Sequence, residues 1–392
     1  MTALEHPPTA DDGATRVDSG LLSGESLRQS AARILDDVPF FGRMAGNHKT
    51  RTQLLDTIAA VPLPDAVARQ LSNACDTRPE IFLHLVRTAL TATWLARTPA
   101  LTRCDAAMAA TAGLLHDIGM LHVDPQILDP GHCLTREQQR QLMAHPLVST
   151  ATLERQSVYP AEVVRAIGEH HECMDGSGYP RNLAGDAISP LGRVLSLAQV
   201  VAAMFAPGRS SPEMRLSVLL RMTWHRYDNT MAMQVLTLVK PKLDVMSVEV
   251  QLLADPIAHL IDINRLLRQW PLQWDGDGDI GAARLATLET MTAEALQIQR
   301  VLAGVGAVPE QLKMLRSELQ DEDLQCELSL LTREASWQLR TLAAQARRRW
   351  IVGPGEAFPA TLQNWLDEVD LLVTGLAGVL PLHEPAVKPQ AP

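Results

Sequence analysis

Apolar residues recur at the three-to-four-residue spacing of an α-helix along almost the whole chain, and this feature limits the fold more than any other. The spacing is seen over residues 26–75, from Glu80 to about Val250, and again over the last third. Prolines and glycines divide the pattern into segments of helical length. Aromatic residues make up only 4% of the chain while alanine and leucine are abundant, a balance that favours helix over sheet. We therefore expect an all-α protein.

The length of the chain predicts more than one packed unit. At 392 residues it exceeds the size at which a single core usually stops growing. We expect a disordered N-terminus over residues 1–22, rich in Pro, Asp, Gly and Thr, and a helical segment over 23–79. A central domain is predicted over 80–250, a C-terminal antiparallel helical bundle over 251–382, and a flexible tail over 383–392. The helices of the bundle are predicted over residues 255–270, 282–302, 310–350 and 360–380.

Charge and cysteine content exclude some classes of protein. The net charge of -10 argues against a broad surface for a nucleic-acid polymer, although a local site for a small anion stays open. The five cysteines lie far apart and form no CxxC pair, which is typical of reduced thiols rather than of disulfides or a zinc knuckle. The N-terminus has no apolar signal core, and no stretch of about 18 apolar residues follows. A cytoplasmic protein without a membrane span is predicted.

Histidines are concentrated in one part of the chain. Glu80 precedes His84 by four residues, so both side chains should project from one face of a helix. His116 and Asp117 follow the apolar run 109–115 and should lie at the inner end of a buried helix. Four further histidines of this region begin or end predicted helices or lie close by: His122, His145, His170 and His171.

These residue types favour a metal site. Imidazole nitrogens and carboxylate oxygens together suit iron, manganese or zinc. A carboxylate beside a histidine could bridge two ions, which would let a shared hydroxide form near neutral pH. A lone histidine is more often a satisfied core or helix-end residue. Six of the seven histidines between residues 80 and 171 stand in such settings, two of them as an adjacent pair, and together they instead favour metal ligation.

Three segments resemble the successive motifs of HD-GYP domains, a branch of the HD phosphohydrolase superfamily. They are HDIGMLHVDPQIL, LTREQQRQLMAHP and HHECMDGSGYP, and the resemblance covers roughly residues 80–250. It implies an HD-superfamily helical domain that binds two or three divalent metal ions, with iron or manganese favoured. It further implies hydrolysis of cyclic di-GMP to pGpG or GMP, in bacterial second-messenger signalling.

The resemblance also assigns roles to positions of this chain. His116 and Asp117 match the HD pair and would be the catalytic residues. Glu80 matches a glutamate of members that hold three ions. The GYP loop, which lies beside the site in the family and can contact a partner domain, is matched by Asp175, Gly176, Gly178, Tyr179 and Pro180. The metal ligands implied in this way are Glu80, His84, His116, Asp117, His145, His170 and His171.

Two departures from the family pattern leave two functions open. Met120 replaces a lysine that is a phosphate contact in the family, and Gln199 replaces an aspartate that closes the metal site, although a glutamine carbonyl can still coordinate a metal. The chain is therefore either a phosphodiesterase for cyclic di-GMP or a related nucleotide, or a degenerate HD-GYP protein. The degenerate protein would bind a nucleotide, or a signalling protein through the GYP loop or the C-terminal bundle. A homodimer also remains open.

Four other signals are given structural interpretations. His122 is interpreted as a surface residue, and Cys173 as a small buried neighbour of the histidine pair rather than a ligand. The acidic run 275–279 lacks the glycine and glutamate of a calcium loop and is interpreted as a turn. The arginines at 347–349 should end a long helix, where cations interact favourably with the helix dipole.

Overall fold

The computed structural model describes residues 21–97, 105–128, 135–241, 252–270, 281–318, 320–350 and 359–374. Within these ranges the protein is built of α-helices, short 3-10 helices and connecting turns, without a β-strand. An isolated antiparallel bridge joins Asp175 to Ala184. The all-α prediction is confirmed. The predicted turn at 275–279, the tail 383–392 and residues 1–20 of the predicted disordered segment lie outside the described residues.

Four helices form the N-terminal part, which was predicted as a helical segment over residues 23–79. Side-chain caps begin two of them: Ser23 Oγ accepts from Ser26 N at 3.2 Å, and Asn47 Oδ1 accepts from Thr50 N at 3.0 Å. Pro39 occupies the first position of the second helix, which it suits because its missing N–H is not needed there. The helices are α1 (Gly24–Asp37), α2 (Pro39–Ala45), α3 (His48–Ala59) and α4 (Asp65–Thr77).

The central part is organised around two long, buried helices. These are α5 (Pro79–Ala96) and α10 (Pro190–Met204), and both pack against α6. Gly113 lets α5 and α6 approach closely, because a Cβ atom there would lie only 2.6 Å from the Cα of Ala89. The remaining helices are α6 (Ala106–Leu115), α7 (Arg136–Met143), α8 (His145–Glu154), α9 (Ala161–Glu169), α11 (Pro212–Met222) and α12 (Asn229–Leu238).

The C-terminal helices pack on one another and on α11. One predicted helix, 310–350, is divided in the structure. Asp321 accepts hydrogen bonds from the backbone of Asp323 at 2.9 Å and Leu324 at 3.3 Å, so it caps a new helix instead of continuing the preceding one. None of the described helices has the length and apolar character needed to span a bilayer. The helices are α13 (Pro256–Gln269), α14 (Gly281–Gly304), α15 (Pro309–Met314), α16 (Glu322–Arg349) and α17 (Ala360–Thr374).

Candidate metal centre

Two sets of potential ligands meet at the inner ends of the central helices. The first set consists of His84, His116 and Asp117, and the second of His145, His170 and His171; in each set the potential ligand atoms lie within 4.8 Å of one another. His84 is on the second turn of α5, whereas every other member stands at or next to a helix end. His116 and His170 are the C-terminal caps of α6 and α9, and His145 begins α8.

Asp117 lies between the two sets and turns one oxygen toward each. Its Oδ2 is 3.7 Å from His84 Nε2 and 3.3 Å from His116 Nε2. Its Oδ1 is 3.2 Å from His145 Nε2 and 3.4 Å from His170 Nε2. This division of the two oxygens would allow the carboxylate to serve a metal ion in each set.

Backbone carbonyls fix the proton position on three of the rings. The Nδ1 atom of His116 lies 2.9 Å from Gly113 O, that of His145 2.6 Å from Leu142 O, and that of His170 2.6 Å from Ile167 O. Each carbonyl can only accept, so Nδ1 carries the proton and Nε2 of the neutral ring keeps a free lone pair. The lone pairs are therefore directed at the common centre.

The ring nitrogens crowd one another in a way that suits bound cations. His145 Nε2 lies 3.0 Å from His170 Nε2 and 3.1 Å from His171 Nε2. His116 Nε2 and Asp117 Oδ1 are buried without a well-formed hydrogen bond. Buried polar atoms normally have a partner, and lone pairs facing each other repel unless a cation intervenes. Five imidazoles and one carboxylate also form a donor set suited to first-row divalent metals.

Burial sets the protonation state of most of these groups. Burial, with the neighbouring His116, lowers the pKa of His84 to about 3, and burial lowers the pKa of His170 to about 4. The pKa of His171 is lowered well below its usual value, first by burial and then by His170. Burial opposes the ionisation of Asp117, but His116 and His145 outweigh it and hold its pKa well below the usual range. The centre therefore combines three neutral imidazoles, those of His84, His170 and His171, with an ionised carboxylate.

Known proteins match this part of the chain. Residues 69–231 match a family model described as an HD domain. A 3'3'-cGAMP-specific phosphodiesterase of Vibrio cholerae is 33% identical over 153 residues, which cover 38% of this chain and 33% of that protein. A probable cyclic di-GMP phosphodiesterase of the same organism is 33% identical over 159 residues, covering 36% of each chain. A cyclic di-GMP phosphodiesterase of Pseudomonas aeruginosa is 38% identical over 96 residues, covering 24% of this chain and 23% of that one.

The central segment is an HD domain of the HD-GYP type. The chain spans about a third of the length of the first of these relatives. The HD family is metal-dependent, and the two histidine sets are arranged so that they could hold metal ions.

The GYP loop of the HD-GYP domain covers one side of the second set. The Tyr179 ring stacks on the His171 ring with centroids 4.6 Å apart and an interplanar angle of 15°, and Tyr179 N donates to His171 O at 3.1 Å. Gly178 permits this contact, because a Cβ atom there would lie 2.4 Å from His171 O. Asp175 Oδ2 lies 3.5 Å from His225 Nε2. Gly176 has a φ of +79°, a turn conformation that glycine adopts readily, and Pro180 follows a cis peptide bond.

Some predicted site residues lie apart from the two sets. Glu80 is exposed in the first turn of α5, one turn before His84, and Gln199 lies half-buried on α10; neither belongs to a ligand set that the structure describes. Met120 packs in a small apolar cluster with Val123 and Ile127 and presents no charge to the centre. His122 and Cys173 agree with the structural interpretations given to them from the sequence. His122 is exposed, and Cys173 is buried, with its Sγ 4.0 Å from the carbonyl of His171.

Sequence reasoning missed two residues near the centre. Glu172, the third residue of HHE, is fully buried and accepts from the backbone N–H groups of Arg181 at 2.7 Å and Leu183 at 2.8 Å, so it holds the GYP loop closed. Arg87 is a buried arginine on α5, three residues after His84. The signal for Arg87 is present in the sequence, because it is a charged residue inside the apolar run 81–96.

Proposed function

We propose that the central domain is a metal-dependent phosphodiesterase that hydrolyses a cyclic dinucleotide, with cyclic di-GMP or 3'3'-cGAMP as the substrate class. The observation that carries the proposal is the division of the two Asp117 oxygens between two histidine sets. The names of the relatives support the substrate class. A cytoplasmic location and a bacterial signalling role, predicted from the sequence, are part of the same proposal.

Two groups of side chains would hold the divalent metal ions. His84, His116 and Asp117 Oδ2 would hold one divalent ion, and His145, His170 and His171 with Asp117 Oδ1 the other. The mixed imidazole and carboxylate set favours iron or manganese. A third ion would require Glu80 to turn inward from its exposed position. When bound, the ions would stabilise charge on the phosphoryl oxygens and lower the pKa of a water molecule.

The chain itself prepares the site for a phosphodiester. Three carbonyls fix the histidine tautomers, so no ring needs to reorient when a cation arrives. Asp117 stays ionised and places negative charge between the two sets, which would offset the repulsion between two bound cations. Burial of the rings excludes water around them and strengthens each electrostatic contact.

A receptor without catalysis is the second candidate. Met120 and Gln199 favour it, because they put neutral side chains where the resemblance implies a phosphate contact and a charged metal ligand. A neutral glutamine neutralises less of the charge of a divalent ion than an aspartate does. The GYP loop or the C-terminal bundle would then bind the signalling partner.

Metal content and turnover, measured on the same preparations, test the proposal. The purified chain should hold about two equivalents of iron or manganese and linearise cyclic di-GMP or 3'3'-cGAMP. Asp117→Ala should lose both ions and all turnover, because its carboxylate serves both sets. His84→Ala and His171→Ala should each lose about one ion, and His122→Ala, at an exposed histidine, should match the wild type.

Two results would contradict the phosphodiesterase. An Asp117→Ala variant that retains metal and turnover would remove the bridging role. A wild-type protein that binds the dinucleotide without cleaving it, and that gains turnover in the double variant Met120→Lys with Gln199→Asp, would establish the receptor instead. Turnover in the wild type would exclude the receptor-only function.

A further inference from the structure

Arg87 is a buried cation with two guanidinium nitrogens that find no hydrogen-bond partner among the described residues. The residue is only 7% exposed, and its Nε and Nη1 atoms form no hydrogen bond with any residue that the structure describes. Burial lowers the pKa of Arg87, yet a guanidinium remains protonated at physiological pH. A buried charge destabilises the fold unless an anion or several acceptors compensate it. The charge of Arg87 therefore requires an anion that the described part of the chain does not supply.

Arg87 lies on the face of α5 that carries a proposed metal ligand. It follows His84 by three residues, so the two side chains are neighbours on the helix surface. Helical side chains lean toward the N-terminus, which brings the guanidinium of Arg87 over the turn that holds His84. Thr88 follows His84 by four residues, and its Oγ1 is also buried without a hydrogen bond in the described structure. Unpaired hydrogen-bonding groups thus flank the imidazole of His84 on its C-terminal side.

The charges around the first ligand set also favour an anion. Asp117 is the carboxylate in the two grouped sets, and its single negative charge is shared between them. Two divalent cations together with Arg87 would leave a large positive excess that neutral histidines cannot balance. A guanidinium offers two parallel N–H groups, a geometry that matches two oxygens of a phosphoryl group.

We propose that Arg87 forms an anion subsite beside the His84–His116–Asp117 set and binds a phosphoryl group there. The identity of the anion rests on the proposed function, since a phosphodiester or the terminal phosphate of its product would carry the phosphoryl oxygens. Arg87 then has a binding role in addition to its packing within α5. It sets how tightly the metal-loaded centre retains phosphoryl ligands.

Inorganic phosphate is the probe for the subsite. Metal-loaded wild type, Arg87→Met and Arg87→Lys are titrated with phosphate by calorimetry, and the metal content of each is measured. Loss of a charge-assisted hydrogen-bond pair should weaken phosphate binding by roughly tenfold or more in Arg87→Met. Arg87→Lys should lie between, because an ammonium keeps the charge but not the planar fork. Metal content should be the same in all three.

Arg69→Met is the matched control. Arg69 is 64% exposed on the adjacent helix α4, where it forms an ion pair with Asp65 at 3.6 Å. Its phosphate affinity should equal that of the wild type. A phosphate Kd in Arg87→Met within about twofold of the wild type, at equal metal content, would overturn the subsite. If Arg87→Met does not fold, Arg87→Lys decides, and an unchanged Kd there overturns it as well.

The outcomes separate the subsite from the proposed function. Turnover of a cyclic dinucleotide together with phosphate binding that does not depend on Arg87 refutes the subsite and leaves the phosphodiesterase. Phosphate binding that depends on Arg87, in a wild type without turnover, supports the subsite and refutes the phosphodiesterase. A second set of titrations uses the intact cyclic dinucleotide and its linear product. An equal loss of affinity for both ligands in Arg87→Met identifies the phosphoryl group, which they share, as the group that Arg87 binds.

Discussion

Glu172 should control the stability of the GYP loop, and Glu172→Gln tests this role. The carboxylate is fully buried, and each of its oxygens accepts one backbone N–H, from Arg181 at 2.7 Å and from Leu183 at 2.8 Å. Its own carbonyl accepts from Ser196 Oγ at 3.0 Å, which anchors it to α10. The two N–H groups lie just beyond Tyr179, so their attachment to Glu172 holds the tyrosine against His171.

The expected loss follows from these two bonds. A hydrogen bond to a charged group contributes about 1.5 to 3 kcal/mol. Glutamine keeps one acceptor oxygen, so one of the two bonds remains as a neutral hydrogen bond. At the other, the side-chain NH2 group faces a backbone N–H, and no hydrogen bond forms. Because Arg181 is exposed and Leu183 half-buried, water offsets part of the loss. We expect the closed loop to lose about 2 to 3 kcal/mol, which makes opening roughly 30 to 150 times more frequent.

Native-state hydrogen exchange measures this opening directly. The amides of Tyr179, Arg181 and Leu183 should exchange faster by the factor given above in Glu172→Gln. The amides of α5 should keep their protection. Glu162→Gln is the control, since Glu162 is exposed in the first turn of the same helix, α9, that leads to Glu172. Loop amides that exchange at the wild-type rate in Glu172→Gln would refute the role of this carboxylate.

Two further predictions concern the centre and its scaffold. Burial opposes protonation of His145, but its contact with Asp117 raises its pKa, whereas His84 and His170 have pKa values lowered to about 3 and about 4. Metal uptake near pH 6 should therefore release fewer protons than one per histidine, as calorimetry in buffers of different ionisation enthalpy would show; release of one proton for every histidine of the two sets would contradict this. Gly113→Ala should destabilise the protein by about 1 to 3 kcal/mol in urea unfolding, because the added methyl group meets the backbone of Ala89, whereas Gly304→Ala, with open space around its Cβ position, should not.

Much of the fold follows from local rules that a sequence exposes. The helical period, divided by prolines and glycines, predicted α-helices, and the structure confirms helices over the residues that it describes. The helix predicted over 310–350 is the instructive difference. Good helix formers lie on both sides of Asp321, so periodicity alone continues the helix, while the side chain of Asp321 caps a new one. Whether a side chain caps a new helix or the backbone continues the old one depends on three-dimensional geometry. The spacing of apolar residues carries no information about that geometry.

The sequence indicated the residues of the candidate site more fully than the contacts between them. The resemblance to the HD-GYP motifs named the histidines and Asp117, and all of these residues except His84 stand at or next to helix ends. It could not indicate that Glu80 lies exposed, since four-residue spacing on α5 fixes a shared face and not a shared depth. It also could not indicate that the Glu172 carboxylate binds backbone N–H groups nine and eleven residues further along the chain and so holds the GYP loop. These contacts depend on how distant segments pack.

The ligand positions at helix ends explain how one local contact can serve both folding and metal binding. His116 and His170 each place Nδ1 against the carbonyl three residues earlier, where the last turn of a helix leaves acceptors unsatisfied. The same contact fixes the tautomer and directs Nε2 to the centre. His145 makes the equivalent contact with Leu142, at the end of the preceding helix. The helix ends are therefore stabilised by the residues that would bind the metal, and the orientation of each ligand is set before any ion arrives.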